Sequence, residues 1–255
     1  MNTLNELIAE GLHNTVITKG SYEFRNHGVV GLHAACVMGQ YEVAKLLIDI
    51  GVDFNQKASR DWTTMHCACY GGNKDIVQML IDKGCTFNDK DSDKCTCLHI
   101  ASLNCNLDVI KLLVDKGANV NEKNVHGYTC IFLACTQHFD VNTNVNVVEF
   151  LIKNGADVNE TDNNGNTCLL RACHRSFYHV AKLLLSNGAD INVKNKQDMT
   201  PFTTACLIGN LKIIQLLVEH GANHKHADTK GYYGVDYVKQ YSNNKEIIEY
   251  LESLP

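Results

Sequence analysis

The amino-acid sequence contains a segment that recurs at a nearly fixed interval. The clearest copy spans residues 162–192, DNNGNTCLLRACHRSFYHVAKLLLSNGADIN, and its second apolar run ends at Gly188. Counterparts of this glycine follow one another in steps of 33, 33, 38, 33 and 33 residues, in the order Gly51, Gly84, Gly117, Gly155, Gly188 and Gly221. A period of this length indicates one supersecondary unit repeated along the chain. Because such units contact their neighbours in sequence, a stack of repeats forming one elongated domain is predicted.

Each copy follows the same order of elements. A polar turn leads into a Thr-x-Leu-His type tetrapeptide, a short helix with the core x-Ala-Cys, and a second helix with a Leu-Leu run. We predict six full copies between an N-terminal helical cap and a C-terminal capping repeat, at residues 1–24, 25–57, 58–90, 91–123, 124–161, 162–194, 195–227 and 228–255. The fourth copy is longer within 138–146. We interpret this as a tolerated surface insertion, with a dedicated binding loop as the alternative.

The helices are too short to be stable alone, so their apolar faces must pack between copies. Alanine and cysteine at adjacent positions let neighbouring helices approach closely, and the Leu-Leu pairs are predicted to fill the layer between copies. From this pattern we predict that Leu183→Ala leaves a cavity that costs about 2–5 kcal/mol.

The repeated motif resembles the ankyrin repeat, whose period is 33 residues and whose core reads TPLHxAA. The resemblance covers about residues 25–255 and implies an all-α ankyrin-repeat solenoid, with antiparallel helix pairs joined by short β-hairpin loops. It also implies that the motif histidine bonds a threonine three residues earlier. His66 and His99 have that partner in Thr63 and Thr96, whereas His33 follows a valine at that spacing.

The glycine of the hairpin is replaced in three copies. It is present in the others, but Asp61, Lys94 and Asp198 stand in its place in the second, third and sixth copies. Aspartate tolerates a positive φ better than lysine does. Lys94 is therefore predicted to lie in a strained or altered turn.

Composition restricts the class of protein. The formal net charge of −5 gives no basic footprint for nucleic acid. The first residues lack a signal peptide or membrane anchor pattern. Most of the twelve cysteines recur at repeat positions, and equivalent helical positions lie about 8–10 Å apart. A disulfide needs Cα atoms within about 7 Å. We therefore expect reduced cysteines in the cytoplasm, with the nucleus as an alternative, and no membrane association.

Metal and nucleophile sites are the less favoured interpretations of the Cys and His residues. His66, Cys67 and Cys69 lie close in sequence, but residues two apart on a helix point to different sides. No paired CxxC of zinc-type spacing occurs. A catalytic group would be expected once rather than once per repeat. We therefore expect no metal, no cofactor and no enzymatic activity.

The resemblance implies a recognition surface instead. In ankyrin repeats, the residues flanking the hairpin glycine and the two residues after Ala-Cys face a concave groove. These positions give the candidate partner-binding residues Arg60, Trp62, Tyr70, His126, Tyr128, His174, Arg175, Met199 and Tyr232. Trp, Tyr and Arg are frequent anchors of protein interfaces. The alternative for each aromatic residue is that it covers the base of the next hairpin.

Two asparagines are candidates for modification. Asn159 and Asn192 lie in the Asp-aliphatic-Asn context in which ankyrin repeats are hydroxylated. The favoured interpretation is that these side chains stabilise their turns.

The sequence therefore predicts a monomeric, non-enzymatic adaptor that binds a protein partner through hairpins and first helices. The alternative is a structural spacer or assembly subunit that packs through its caps or second helices.

Overall fold

The computed structural model describes residues 31–136 and 141–255, with the side chains of 141–143 excluded. The predicted N-terminal cap and the start of the insertion in the fourth copy lie outside these residues. Although the sequence predicts one elongated domain, internal contacts group the chain into two compact units. One runs to Asn119 and includes Lys123–Val125, and the other comprises Val120–Glu122 and His126–Pro255.

The described part of the first unit consists of three helix pairs. Successive first helices pack on one another, and so do successive second helices. Their bounds are α1 Gly31–Val37, α2 Tyr41–Asp49, α3 Thr64–Gly71, α4 Lys74–Asp82, α5 Cys97–Leu103 and α6 Leu107–Asp115.

The second unit continues the same alternation with four further pairs. Helix α8 is longer than the other second helices, and a π-helical turn at Val238–Ser242 extends α13. The bounds are α7 Cys130–Ala134, α8 Val141–Lys153, α9 Cys168–His174, α10 Tyr178–Ser186, α11 Pro201–Ile208, α12 Leu211–Glu219, α13 Gly234–Tyr237 and α14 Lys245–Glu252.

Threonine residues cap five of the first helices, α3, α5, α7, α9 and α11. The Thr63 hydroxyl accepts a hydrogen bond from the backbone N–H of His66, and the Thr63 N–H donates to His66 Nδ1 at 3.2 Å. Since Nδ1 accepts, Nε2 carries the proton and donates to the Cys95 carbonyl at 3.2 Å. The predicted Thr–His bond is therefore confirmed, and the same histidine also joins its helix to the next hairpin.

Copies without the motif histidine hold their caps differently. The Thr200 N–H donates to Thr203 Oγ1 at 2.8 Å, so a hydroxyl replaces the imidazole. The hydroxyl of Thr129 accepts a hydrogen bond from the backbone N–H of Phe132, and that of Thr167 accepts one from the backbone N–H of Leu170.

The connections between repeats are turns rather than extended strands. Across the described residues, the β-type pairing is one isolated bridge, between Lys57 and Thr63. The turns instead contact one another through single backbone bonds, such as Ser92 N–H to Arg60 O at 3.0 Å and Lys196 N–H to Asn164 O at 2.9 Å. The hairpin loops are therefore shorter and less strand-like than the resemblance implies.

Lys94 adopts the left-handed backbone predicted for its position, with φ of 57°. This conformation costs a non-glycine residue about 1–2 kcal/mol, and a glycine would avoid that cost. Part of this benefit is offset because glycine loses more conformational entropy on folding. We expect Lys94→Gly to raise the free energy of unfolding by about 0.5–1 kcal/mol, measured by urea denaturation. The control is Lys116→Gly at the end of α6, where φ is −85°. That change should destabilise, and equal effects would contradict the strain.

Of the Leu183–Leu184 pair predicted to fill the layer between repeats, one member is fully buried. Leu183 is half-buried, whereas the side chain of Leu184 has 0% exposure. The large cavity predicted for Leu183→Ala is therefore expected at Leu184 instead. The Ala-Cys positions are buried as expected, with Cys69, Cys135 and Cys173 each at 0%.

Candidate functional site

Trp62 lies inside the first unit and not at an exposed turn tip. Its exposure is 5%, and its indole Nε1 donates to Asp91 Oδ2 of the next turn at 3.0 Å. Asp91 Oδ1 accepts from the backbone N–H groups of Asp93 and Cys95 at 2.9 and 2.7 Å. The structure thus corrects the expected surface role of Trp62, because the following turn supplies an acceptor that draws the indole inward.

Arg60 and Tyr70 remain accessible in that unit. Arg60 is exposed, and its guanidinium lies 3.7 Å from Asp93 in a solvent-exposed ion pair. Tyr70 is half-buried, with its ring centroid 5.8 Å from that of Trp62. Trp62 therefore packs near the ring of Tyr70 from inside the unit and is itself almost fully buried.

In the second unit, His126 and Tyr128 form an aromatic group on one turn. The exposed His126 ring lies 5.5 Å from Tyr128. Tyr128 stacks on Phe132, with centroids 4.7 Å apart and an interplanar angle of 7°. Phenylalanine at the motif's histidine position therefore provides a platform that keeps Tyr128 half-buried.

A concave pocket of about 410 Å³ lies in the second unit. First helices α9 and α11, the turns that precede them, and the residues around α13 contribute its walls. We call it the basic pocket, defined by Asn166, Leu170, Arg171, His174, Asn195, Gln197, Met199, Thr204, Leu207, Lys230, Tyr237 and Tyr241.

Three basic side chains line this pocket. Arg171 is half-buried, while His174 and Lys230 are exposed. Burial lowers the pKa of the Arg171 guanidinium, as does the charge of Arg175, while Tyr128, Cys135 and Asp162 oppose that shift. Burial and the two arginines also lower the pKa of His174. The mutual repulsion of these groups makes the pocket receptive to an anion.

The carboxylates near the pocket are already occupied by other groups. Asp162 accepts from the side-chain amide of Asn166 at 3.0 Å and from two backbone N–H groups. Asp198 pairs with Lys194 and His226, each at 3.3 Å. Among the described residues, no carboxylate forms an ion pair with Arg171.

Asp228 forms the corresponding network at the far wall. It accepts hydrogen bonds from the hydroxyl of Tyr237 and from the backbone N–H groups of Lys230 and Tyr232. Burial alone would raise the pKa of Asp228, but these hydrogen bonds outweigh it and lower that pKa. The bond to Asp228 fixes Tyr237 in the pocket wall.

Met199 and Tyr232 occupy equivalent positions but differ in exposure. Met199 is 7% exposed, its Sδ lies 3.3 Å from the Tyr237 hydroxyl, and it lines the pocket wall, so its role in partner binding stays a prediction. Tyr232 is 37% exposed, with its ring 5.7 Å from Tyr237. Of the other predicted groove residues, His174 lines the pocket, and the charge of Arg175 lowers the pKa of His174.

Sequence reasoning missed Arg171, although a signal was present. The position before Ala-Cys carries Ala34, Cys67, Ile100, Leu133, Arg171 and Thr204 in the six copies. The other residues at this position suit close packing between repeats, whereas a charged side chain does not. That departure could have identified Arg171 as a candidate contact residue.

The cysteines and histidines show packing roles. Burial raises the pKa of the Cys85 and Cys95 thiols to about 11 in each case. Within the described residues, no three His, Cys, Asp or Glu side chains form a group that could hold a metal ion. In the same part of the chain, no helix combines the length and apolar character needed to cross a membrane.

Asn159 and Asn192 connect successive repeats. The Asn159 amide donates to the Gly188 carbonyl at 3.0 Å, and its oxygen accepts from Asp190 N–H at 2.8 Å. Asn192 accepts from Asn223 N–H at 2.8 Å. These bonds account for the asparagines structurally, and hydroxylation stays a prediction.

Comparison with known proteins agrees with this architecture. The family described as ankyrin repeats (3 copies) matches residues 32–124 and 122–195, and ankyrin repeats (many copies) matches 178–218. The crystal structure of the human ASB11 ankyrin repeat domain superposes with a TM-score of 0.78 at 25% identity, covering 88% of this chain and 98% of that chain. Comparison with curated proteins finds no match.

The family matches extend over most of the chain, which therefore belongs to the ankyrin-repeat family. Ankyrin repeats are generally protein–protein interaction modules.

Proposed function

We propose that this protein is a non-enzymatic adaptor that binds an extended segment of a protein partner along the turns and first helices of residues 126–255. The observation that carries the proposal is the basic pocket, which is concave, accessible and built from three successive repeats. Around it lie the exposed side chains of His174, Lys230 and Tyr241. Tyrosine is a frequent anchor of protein interfaces, and Lys230 adds positive charge beside it.

The chemistry of the site supports binding rather than catalysis. The buried thiols of Cys173 and Cys206 have raised pKa values because of burial, so neither favours the reactive thiolate. The motif histidines are held by hydrogen bonds within and between repeats. The pocket has no paired nucleophile and base among its described lining residues.

Affinity capture from a lysate of the source cell tests the proposal. The groove variant His174→Glu with Lys230→Glu places negative charges at two exposed pocket residues and reverses the charge of Lys230. The matched control, Lys182→Glu with Lys212→Glu, reverses charge at two exposed residues of the second helices α10 and α12. We expect a partner that wild type and control retain and the groove variant loses by at least tenfold.

The opposite pattern identifies the alternative function. A partner retained by the groove variant and lost by the control would indicate assembly through the second helices. Retention by both variants would move the interface outside the pocket, and absence of any partner would favour a structural spacer. Circular dichroism must first show equal helicity in all three proteins.

A further inference from the structure

We infer that the basic pocket binds the carboxylate of an aspartate or glutamate side chain that lies next to an apolar residue in the partner's segment. This inference rests on the proposed function and specifies the chemistry of the bound segment.

The first support is charge. Arg171, His174 and Lys230 line the pocket, and no aspartate or glutamate is among its lining residues. The whole chain nevertheless carries a formal charge of −5. A basic pocket in an acidic protein attracts acidic groups locally, while the surrounding surface disfavours generally acidic chains. The expected ligand therefore has one well-placed acidic residue and not an acidic tract.

The second support is the state of Arg171. Its Nε is buried and has no hydrogen-bond partner in the described residues. Asp162, which lies near enough to influence its pKa, already accepts bonds from Asn164 and Asn166. A guanidinium presents a planar fork that a carboxylate can accept in bidentate fashion. A ligand carboxylate would provide the hydrogen-bond acceptor that Arg171 Nε lacks among the described residues.

The third support is the apolar part of the wall. Leu170, Met199 and Leu207 line the same cavity as the basic groups. A volume of about 410 Å³ exceeds the needs of one carboxylate and lies within the range of ligand pockets, about 300–1,000 Å³. The space therefore accommodates an apolar neighbour of the acidic residue.

The balance of charge favours a carboxylate over a phosphate. Burial and the two nearby arginines lower the pKa of His174, which leaves this ring mainly neutral at pH 7. Lys230 is exposed, so solvent weakens its contribution. Arg171 is then the main charged group within the pocket, and it matches a single negative charge better than a phosphate dianion.

Selection of random ten-residue peptides displayed on phage, with the full chain as bait, tests the inference. We expect wild type to enrich peptides with Asp or Glu at one fixed position beside an apolar residue. The same selection on Arg171→Gln should lose that acidic preference. Lys182→Gln, which removes a charge from an exposed position on α10, should retain it.

Titration of a selected peptide by fluorescence anisotropy then measures the pairing. Replacing the peptide's Glu by Gln should weaken binding at least tenfold, and Arg171→Gln should do the same. Combining the two changes should add no more than about twofold, because both remove one interaction. Since Arg171 is half-buried, the exposed Lys230→Gln provides a second variant, with an expected loss of about threefold.

The outcomes separate this inference from the proposed function. Enriched peptides without an acidic position, or an acidic preference that persists in Arg171→Gln, would overturn the inference and leave segment binding intact. A phosphoserine peptide that binds more than tenfold tighter than its glutamate counterpart would overturn the choice of carboxylate. Enrichment of no peptide by wild type would contradict both segment binding and the inference.

Discussion

Leu184→Ala is expected to lower the free energy of unfolding by about 2–5 kcal/mol. The side chain of Leu184 has 0% exposure and lies on α10, which packs against α8, α9 and α12. Truncation removes three buried carbon atoms and leaves a cavity that a stack of short helices can only partly collapse. Urea denaturation followed by circular dichroism measures the loss, and the large effect should appear without a change in native helicity.

Leu183→Ala is the matched control for this prediction. It deletes the same atoms one residue earlier, but Leu183 is half-buried, so a loss of roughly 1 kcal/mol or less is expected. The difference between the two variants tests the register of α10 directly. Equal losses, or a larger loss for Leu183→Ala, would mean that the packing face is assigned incorrectly.

The repeated helix pairs could be predicted from sequence because the signals that set them are local. A threonine caps a helix through the backbone three residues later, as Thr96 does for His99, and both residues belong to one motif. The lysine at the turn position likewise takes a positive φ because the turn geometry requires it, whatever residue is present. Hydrogen bonds and backbone conformations within one motif can therefore be predicted from the sequence.

The direction of side chains at the turns could not be predicted in the same way. Trp62 occupies a position expected to face the groove, but a group in the following copy directs it inward. From the third copy onward, the first residue of each turn is Asp or Asn, at Asp91, Asn124, Asp162, Asn195 and Asp228. This regularity is visible in the sequence, yet its consequence depends on contacts about 29 residues away, as between Trp62 and Asp91.

Predicting the basic pocket would have required knowledge of contacts among three successive repeats. Arg171 stands out within its own copy, but its proximity to Lys230 and Tyr237 arises from stacking three successive repeats. The sequence indicated the neighbouring His174 and Arg175 because the ankyrin pattern assigns their position to the groove. Which cations share a cavity, and which carboxylates are already occupied, follows only from the packed arrangement.

Asp91→Ala is expected to destabilise the first unit by about 2–4 kcal/mol. Asp91 is 8% exposed and accepts from the indole of Trp62 and from the backbone N–H groups of Asp93 and Cys95. Alanine leaves these donors without their acceptor, and an unsatisfied buried donor costs about 1–3 kcal/mol. The release of a buried indole should also move its fluorescence emission to longer wavelength and increase quenching by acrylamide.

Asp91→Asn separates the backbone hydrogen bonds of Asp91 from its bond to the Trp62 indole. Asparagine keeps the oxygen that accepts from the backbone and occurs naturally at Asn124 and Asn195, where Asn195 accepts from two backbone N–H groups. We expect it to cost about 1–2 kcal/mol, less than Asp91→Ala, because its amide NH2 replaces Oδ2 and leaves the indole N–H of Trp62, the single tryptophan, without its acceptor. An Asp91→Ala protein with wild-type stability and quenching would show that Trp62 is held by packing alone. If wild-type Trp62 were quenched as readily as an exposed indole, the inward orientation itself would be wrong, and Trp62 would return to the partner-binding surface.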